Sequence, residues 1–158
     1  MDKFVEIRVK AVSGTEAYLR SCIGAFCVEL DPTLDEVNDV KTAVSEAVTN
    51  CVVHAYRGRE AGEIRVFARI EESTLYIDIS DDGCGIEDPV KARQAFFTTA
   101  PSEERSGLGF TVMETFMDRL TVKNNERGGV TVSMEKEFDG IDSQHSPRQK
   151  GELFAWAQ

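Results

Sequence analysis

Positive charge is scarce in this sequence: Lys and Arg number 18 against 28 Asp and Glu, a net charge of −10. A duplex-DNA binder replaces condensed counterions with a cationic stripe. A chain this acidic repels phosphate backbones, which excludes direct nucleic-acid binding but is compatible with a basic protein partner. Long apolar runs are missing too. The longest span only several residues, such as Cys22–Val28 with Gly24 inside it, far short of the roughly 20 that a membrane helix needs. The opening MDKFVEIRVK alternates apolar and charged residues and holds no apolar signal region. These absences predict a soluble, cytoplasmic protein with no membrane contact.

Metal-ligating residues are equally thin. The histidines are His54 and His145, and Cys22, Cys27, Cys51 and Cys84 form neither a C-x-x-C pair nor a zinc spacing with them. Three of the cysteines fall on apolar helix faces and read as reduced structural thiols; Cys84 sits between two glycines. No internal repeat or low-complexity block is present. What remains is an ordinary globular balance, 41% hydrophobic and 29% charged over 158 residues, which excludes disorder as the main state.

Periodicity gives the elements. Val5, Ile7 and Val9 alternate with charged neighbours, an opening strand with one solvated face. Ser13-Gly-Thr-Glu16 has capping-box form and leads into a stripe of Leu19, Cys22, Ile23, Phe26, Cys27 and Leu30. A second box, Thr33-Leu-Asp-Glu36, opens a long amphipathic helix carrying Val37, Val40, Val44, Ala47, Val48, Cys51 and Ala55. Two strands follow, with Ile64, Val66, Ala68 and Ile70 on one face of the first and Leu75, Ile77 and Ile79 on one face of the second, joined at Glu72-Ser73. Beyond them the pattern predicts a short helix over 89–95, a mobile loop over 97–107 and a helix from Gly107-Leu-Gly109 with Phe110, Met113, Phe116 and Met117 inward. A closing hairpin pairs 120–123 with 130–138. The expected fold is an α/β (α+β) sandwich over 1–138, a mostly antiparallel sheet with helices on one face. Residues 139–158 read as a flexible tail.

Three local patterns bear chemistry. Glu46, Asn50 and His54 recur at i, i+4, i+8 as a polar column beside the apolar stripe, although a solvated helix face looks the same. Asp81-x-Gly83-x-Gly85 follows a strand directly; alone it marks a turn. Ser106-Gly107-Leu108-Gly109 opens a helix, where free N–H groups favour an anion.

Taken in this order, SEAVTNCVVHAY, DDGCGI and RSGLGFTVM resemble the N-box, G1 box and G2 box of the GHKL ATPase/kinase family, which shares the Bergerat fold. The resemblance runs from about Thr33 to Phe138. Within that family the chain is most similar to the bacterial anti-sigma factor serine kinases of the sporulation, anti-sigma F type, on LDPTLDEVNDVKTAVSEAVTN, ARQAFFTTAPSEERSGLGFTVMETFMD and the Arg20-bearing first helix.

That resemblance implies ATP and ADP as ligands, with Mg2+. It places Asp81 as acceptor for the adenine amino group, with Gly83 and Gly85 letting the loop approach the base. Asn50 becomes the Mg2+ ligand and Glu46 the general base. Residues 97–107 become a lid, in which Arg105 reaches the terminal phosphate, Glu104 orients it, and Thr98, Thr99, Ser106, Gly107, Leu108, Gly109 and Phe110 complete the nucleotide site. His54 is expected to be structural, and Cys84 to fill the motif's variable position. Arg20 is the implied contact for two protein partners, a sigma factor and an anti-anti-sigma protein phosphorylated on serine. A homodimer pairing partly through the exposed sheet is also implied. The alternatives are a general-stress-type kinase, a nucleotide-gated sigma binder without kinase activity, a histidine-kinase fragment, and a gyrase-like ATPase, which needs transducer domains that this length cannot hold.

Overall fold

The computed structural model describes residues 3–88 and 108–139. Its elements are β1 (Lys3–Lys10), α1 (Thr15–Cys27), α2 (Leu34–Asn50), β2 (Glu63–Glu71), β3 (Thr74–Asp81), α3 (Gly109–Phe116), β4 (Arg119–Asn124) and β5 (Val130–Glu137). A 3-10 turn over Val28–Leu30 follows α1, and a π-turn over Cys51–Ala55 extends α2. All strand pairs are antiparallel in the order β1-β2-β3-β5-β4, as the alternation implied. The anticipated helix over 89–95, the loop over 97–107 and the tail beyond Asp139 lie outside the described residues.

The pleat sorts the side chains. Ile64, Val66, Leu75, Ile77, Ile79 and Met134 are buried on one face of the sheet, against Leu19 and Ile23 of α1, Val40, Val44 and Val48 of α2 and Met113 of α3. Each such aliphatic side chain contributes about 1.5–3 kcal/mol when fully buried. Helix α2 packs between α1 and α3, so it is the central helix of the layer. The opposite face stays open: Phe4 stacks on Phe67 at 5.9 Å between centroids, and the Arg69 guanidinium lies 4.0 Å over the Tyr76 ring. Among the described residues no helix is long and apolar enough to cross a membrane.

The two predicted capping boxes part ways. At Thr33 the box is complete: Glu36 N–H donates to Thr33 Oγ1 at 3.2 Å and Thr33 N–H donates to Glu36 Oε2 at 2.8 Å. At Ser13 it does not form. The residue preceding α1 is Gly14, in the left-handed region at φ 90°, and no side chain caps the helix. The Glu16 carboxylate is engaged elsewhere, by the Ser45 hydroxyl and by Arg20 at 3.3 Å, while Thr15 Oγ1 donates to Lys10 O at 2.8 Å. Thr33→Ala should therefore cost about 1 kcal/mol, lowering the melting temperature by roughly 2–4 °C in a domain of this size. Ser13→Ala should leave it unchanged, as thermal unfolding of the pair would show.

Candidate functional site

The polar column on α2 exists as far as Asn50. Glu46 and Asn50 face the first residue of α3: a methyl group on Gly109 would come within 2.9 Å of Glu46 Oε2 and 3.7 Å of Asn50 Oδ1. A side chain there would push the Glu46 carboxylate aside, whereas glycine leaves it against the helix start. The orphan N–H groups of that first turn, with the positive end of the helix dipole, then lie beside a carboxylate and an amide. Leu108 precedes α3 without a side-chain cap, and Phe110 packs on the core rather than outward.

His54 leaves the column. The π-turn inserts an extra residue per turn, shifting the 51–55 backbone out of the 3.6 register. Its main-chain carbonyl accepts from the Cys84 thiol at 3.4 Å.

Asp81 closes β3 and is 5% exposed. Its Oδ1 accepts from Gly83 N at 2.9 Å and Val130 N at 3.3 Å. Burial pushes its carboxyl above the ordinary range, and the two backbone donors partly oppose this. The Cys51 thiol, held well above its usual range by burial and then by the Asp81 charge, stays protonated and donates to the carboxylate. Asp81 is thus the side chain that links the base of α2 to the glycine loop.

The loop is pinned on both sides. Cys84 N donates to Ala55 O at 2.8 Å, and a Cβ on Gly83 would collide with that same carbonyl. Gly85 has φ 70°, the left-handed region that glycine enters freely. From the other side Asn124 grips Ile86 twice, accepting from its N–H at 2.8 Å and donating to its carbonyl at 2.7 Å. Asn125 Nδ2 donates to Asp81 O at 2.9 Å. The sequence reading treats Asn124-Asn125 only as hairpin turn; their adjacency to the glycine loop depends on β3 and β5 being neighbours. Tyr56 is a further residue it misses. Its hydroxyl meets Asp82 Oδ1 at 2.5 Å; it ends the SEAVTNCVVHAY stretch, but nothing in that motif assigns it a partner.

The structure therefore brings Glu46, Asn50 and Gly109 together and places Asp81, Gly83 and Gly85 around the end of the same helix. Arg20 stands on α1, partly exposed and ion-paired to Glu16. Thr98, Thr99, Glu104, Arg105, Ser106 and Gly107 lie outside the described residues. Among the described residues no cluster of three His, Cys, Asp or Glu forms a protein-only metal cage. Asn50 beside Glu46 does offer the hard oxygen donors that suit Mg2+, which takes few protein ligands together with phosphate and water.

The model for the histidine kinase-like ATPase domain matches residues 10–136. Anti-sigma F factor of Clostridium beijerinckii is 47% identical over 140 residues, covering 89% of this chain and 98% of that one. The Bacillus licheniformis anti-sigma F factor is 41% identical over 136 residues, 86% and 93% of the two chains. Among solved structures, the RsbU and RsbW domains of a Mycobacterium tuberculosis protein superpose with a TM-score of 0.62 at 16% identity, over 86% of this chain and 32% of that longer one. That likeness carries the fold alone. With the family model spanning all three helices and four of the five strands, β2 to β5, the chain belongs to the histidine kinase-like (GHKL) ATPase family, in the branch of the anti-sigma F factors.

Proposed function

We propose that this protein sequesters a sporulation-type sigma factor and, as an ATP-dependent protein serine kinase, phosphorylates the anti-anti-sigma protein that would release it. The observation that carries this reading is the meeting of Glu46 and Asn50 with the glycine that opens α3. A base, a magnesium ligand and a phosphate-binding helix start then share one place. The family assignment and the anti-sigma F relatives support it.

The residues divide the work as follows. Asp81 accepts the adenine amino group; guanine presents a carbonyl oxygen there, so acceptor would face acceptor. A hydrogen bond to a charged group contributes roughly 1.5–3 kcal/mol, enough to favour ATP more than tenfold. Asn50 holds Mg2+, which neutralises charge on the phosphates when bound. Glu46 orients the attacking serine hydroxyl and accepts its proton; loose phosphoryl transfer demands positioning more than basicity. Arg105, aided by Glu104, supplies a cation at the terminal phosphate, and Thr98, Thr99, Ser106 and Gly107 complete the lid. Arg20, exposed on α1, is the contact for the protein partners. Homodimerisation through β1 and the open sheet face, and a domain spanning 1–138 followed by a tail over 139–158, belong to the same reading.

The test is phosphotransfer. The protein and Mg-ATP are mixed with the anti-anti-sigma protein of the same genome, and its intact mass is followed. A gain of one phosphate on a serine is the expected result. Tight ATP binding without transfer would leave a nucleotide-gated sigma binder.

A further inference from the structure

We infer that Tyr56 is a positioning residue for base recognition, acting through Asp82 to fix the neighbouring Asp81. The inference rests on the reading of Asp81 as the adenine acceptor.

Tyr56 follows the π-turn and is 8% exposed. Its hydroxyl lies 2.5 Å from Asp82 Oδ1 and 2.7 Å from Glu63 O, and its oxygen accepts from Asp82 N at 3.2 Å. Glu63 N donates to Asp82 Oδ1 at 3.4 Å. The ring is seated so closely on Gly62 that a Cβ there would overlap it. One side chain thus ties the end of α2 to the start of β2 and the residue just past β3.

The placement matters because of what lies on either side. Asp82 is fixed by Tyr56, and Cys84 by the carbonyl of Ala55. Consecutive residues at the helix end therefore hold the two residues that flank Gly83. Asp81 pairs with Ile64 at the last position of the β2–β3 ladder, so beyond it the ladder gives no further support. Two adjacent carboxylates also repel. The Tyr56 hydroxyl satisfies Asp82 with a charge-assisted bond, which is the largest cause holding that carboxyl below its ordinary range. Burial, and then the hydrogen bond to Asp82, raise the phenol, so it remains a donor throughout the physiological range. Recognition of one amino group by one carboxylate oxygen tolerates little displacement, about 0.5 Å in a preorganised site.

Tyr56→Phe keeps the ring and removes the oxygen. ATP affinity, read by displacement of a fluorescent ATP analogue from the whole chain, should fall about tenfold, with GTP affinity nearly unchanged, so that the ATP:GTP ratio narrows. The phosphotransfer rate at saturating ATP should stay within about twofold of wild type, since Glu46 and Asn50 are untouched. Asp82→Ala should reproduce the narrowing; Asp82→Asn, which keeps an acceptor for the phenol, should restore the wild-type ratio. A wild-type ratio in both Tyr56→Phe and Asp82→Ala, whatever happens to the melting temperature, overturns the inference. Asp81→Asn, measured alongside, separates the two failures. An unchanged ratio there sinks the base-acceptor reading itself, whereas a collapsed ratio there with a normal one in Tyr56→Phe sinks only the role of Tyr56.

Discussion

Glu46→Gln should lower the phosphotransfer rate by about 10²- to 10⁴-fold, the range that a positioned general base contributes. The amide fills the same space, so its contact with the opening of α3 survives: the Gly109 backbone sits against Glu46 Oε2 without needing its charge. Asn50 and Asp81 are unaltered. ATP affinity should therefore remain within about threefold of wild type. The split between rate and affinity is the diagnostic feature, because loss of an interaction made only in the transition state lowers the rate and leaves ground-state binding alone. Single-turnover transfer to the serine substrate and equilibrium ATP binding measure the two quantities separately. A wild-type rate would remove Glu46 from the mechanism.

The second large effect is expected at Asp81. If Asp81 is the adenine acceptor proposed above, Asp81→Asn replaces its carboxylate with an amide, and ATP affinity should fall roughly 10- to 100-fold, the equivalent of one hydrogen bond to a charged group. Stability should move the other way. Burial raises the Asp81 carboxyl above its ordinary 3.8. A carboxyl whose value is higher folded than unfolded favours the fold below the unfolded value and loses that contribution as pH rises through the folded value. At pH 8 the wild type thus holds an ionised, buried carboxylate whose desolvation opposes folding, while asparagine carries no charge and still accepts from Gly83 and Val130. The ligand-free variant should melt higher than wild type at pH 8, with the gap closing as pH falls toward the ordinary carboxylate range. Melting curves across pH without nucleotide provide the check; a variant that melts lower at pH 8 would contradict this account.

Most of the scaffold was legible because its signals are local. Alternation fixed the faces of β2 and β3, and Thr33 and Glu36 form the cap that their spacing implied. Ser13 and Glu16 show the same spacing and no cap, because Glu16 is engaged by α1 and α2 side chains that sequence distance conceals. In the site, Glu46, Asn50, Asp81 and the glycines were readable as motif positions. The π-turn was not: Cys51 and Ala55 remain at helical spacing whether or not a residue is inserted between turns. Tyr56, Asn124 and Asn125 escaped for a related reason. Their partners lie 26, 38 and 44 residues away, and only the β3–β5 adjacency brings the asparagines to the glycine loop.

The sheet order also governs how the chain must assemble. Lys3 pairs with Ile70 and Thr74 with Glu137, so the outer strand β1 and the central β3 each wait for a partner far along the chain. Among the described residues, the β2–β3 and β4–β5 hairpins are the strand pairs that close locally. Ribosomes add about 5–20 residues per second, so β1 leaves the exit tunnel several seconds before β2 can receive it. During that interval the α1–α2 pair has no sheet to cover, and its apolar stripe is open to chaperones. Distant strand contacts are entropically slow to form, and the joining of β5 to β3 is the contact that unites the two hairpins. The glycine loop, held by Asn124 and Asn125, has its full set of contacts only once that pairing has formed.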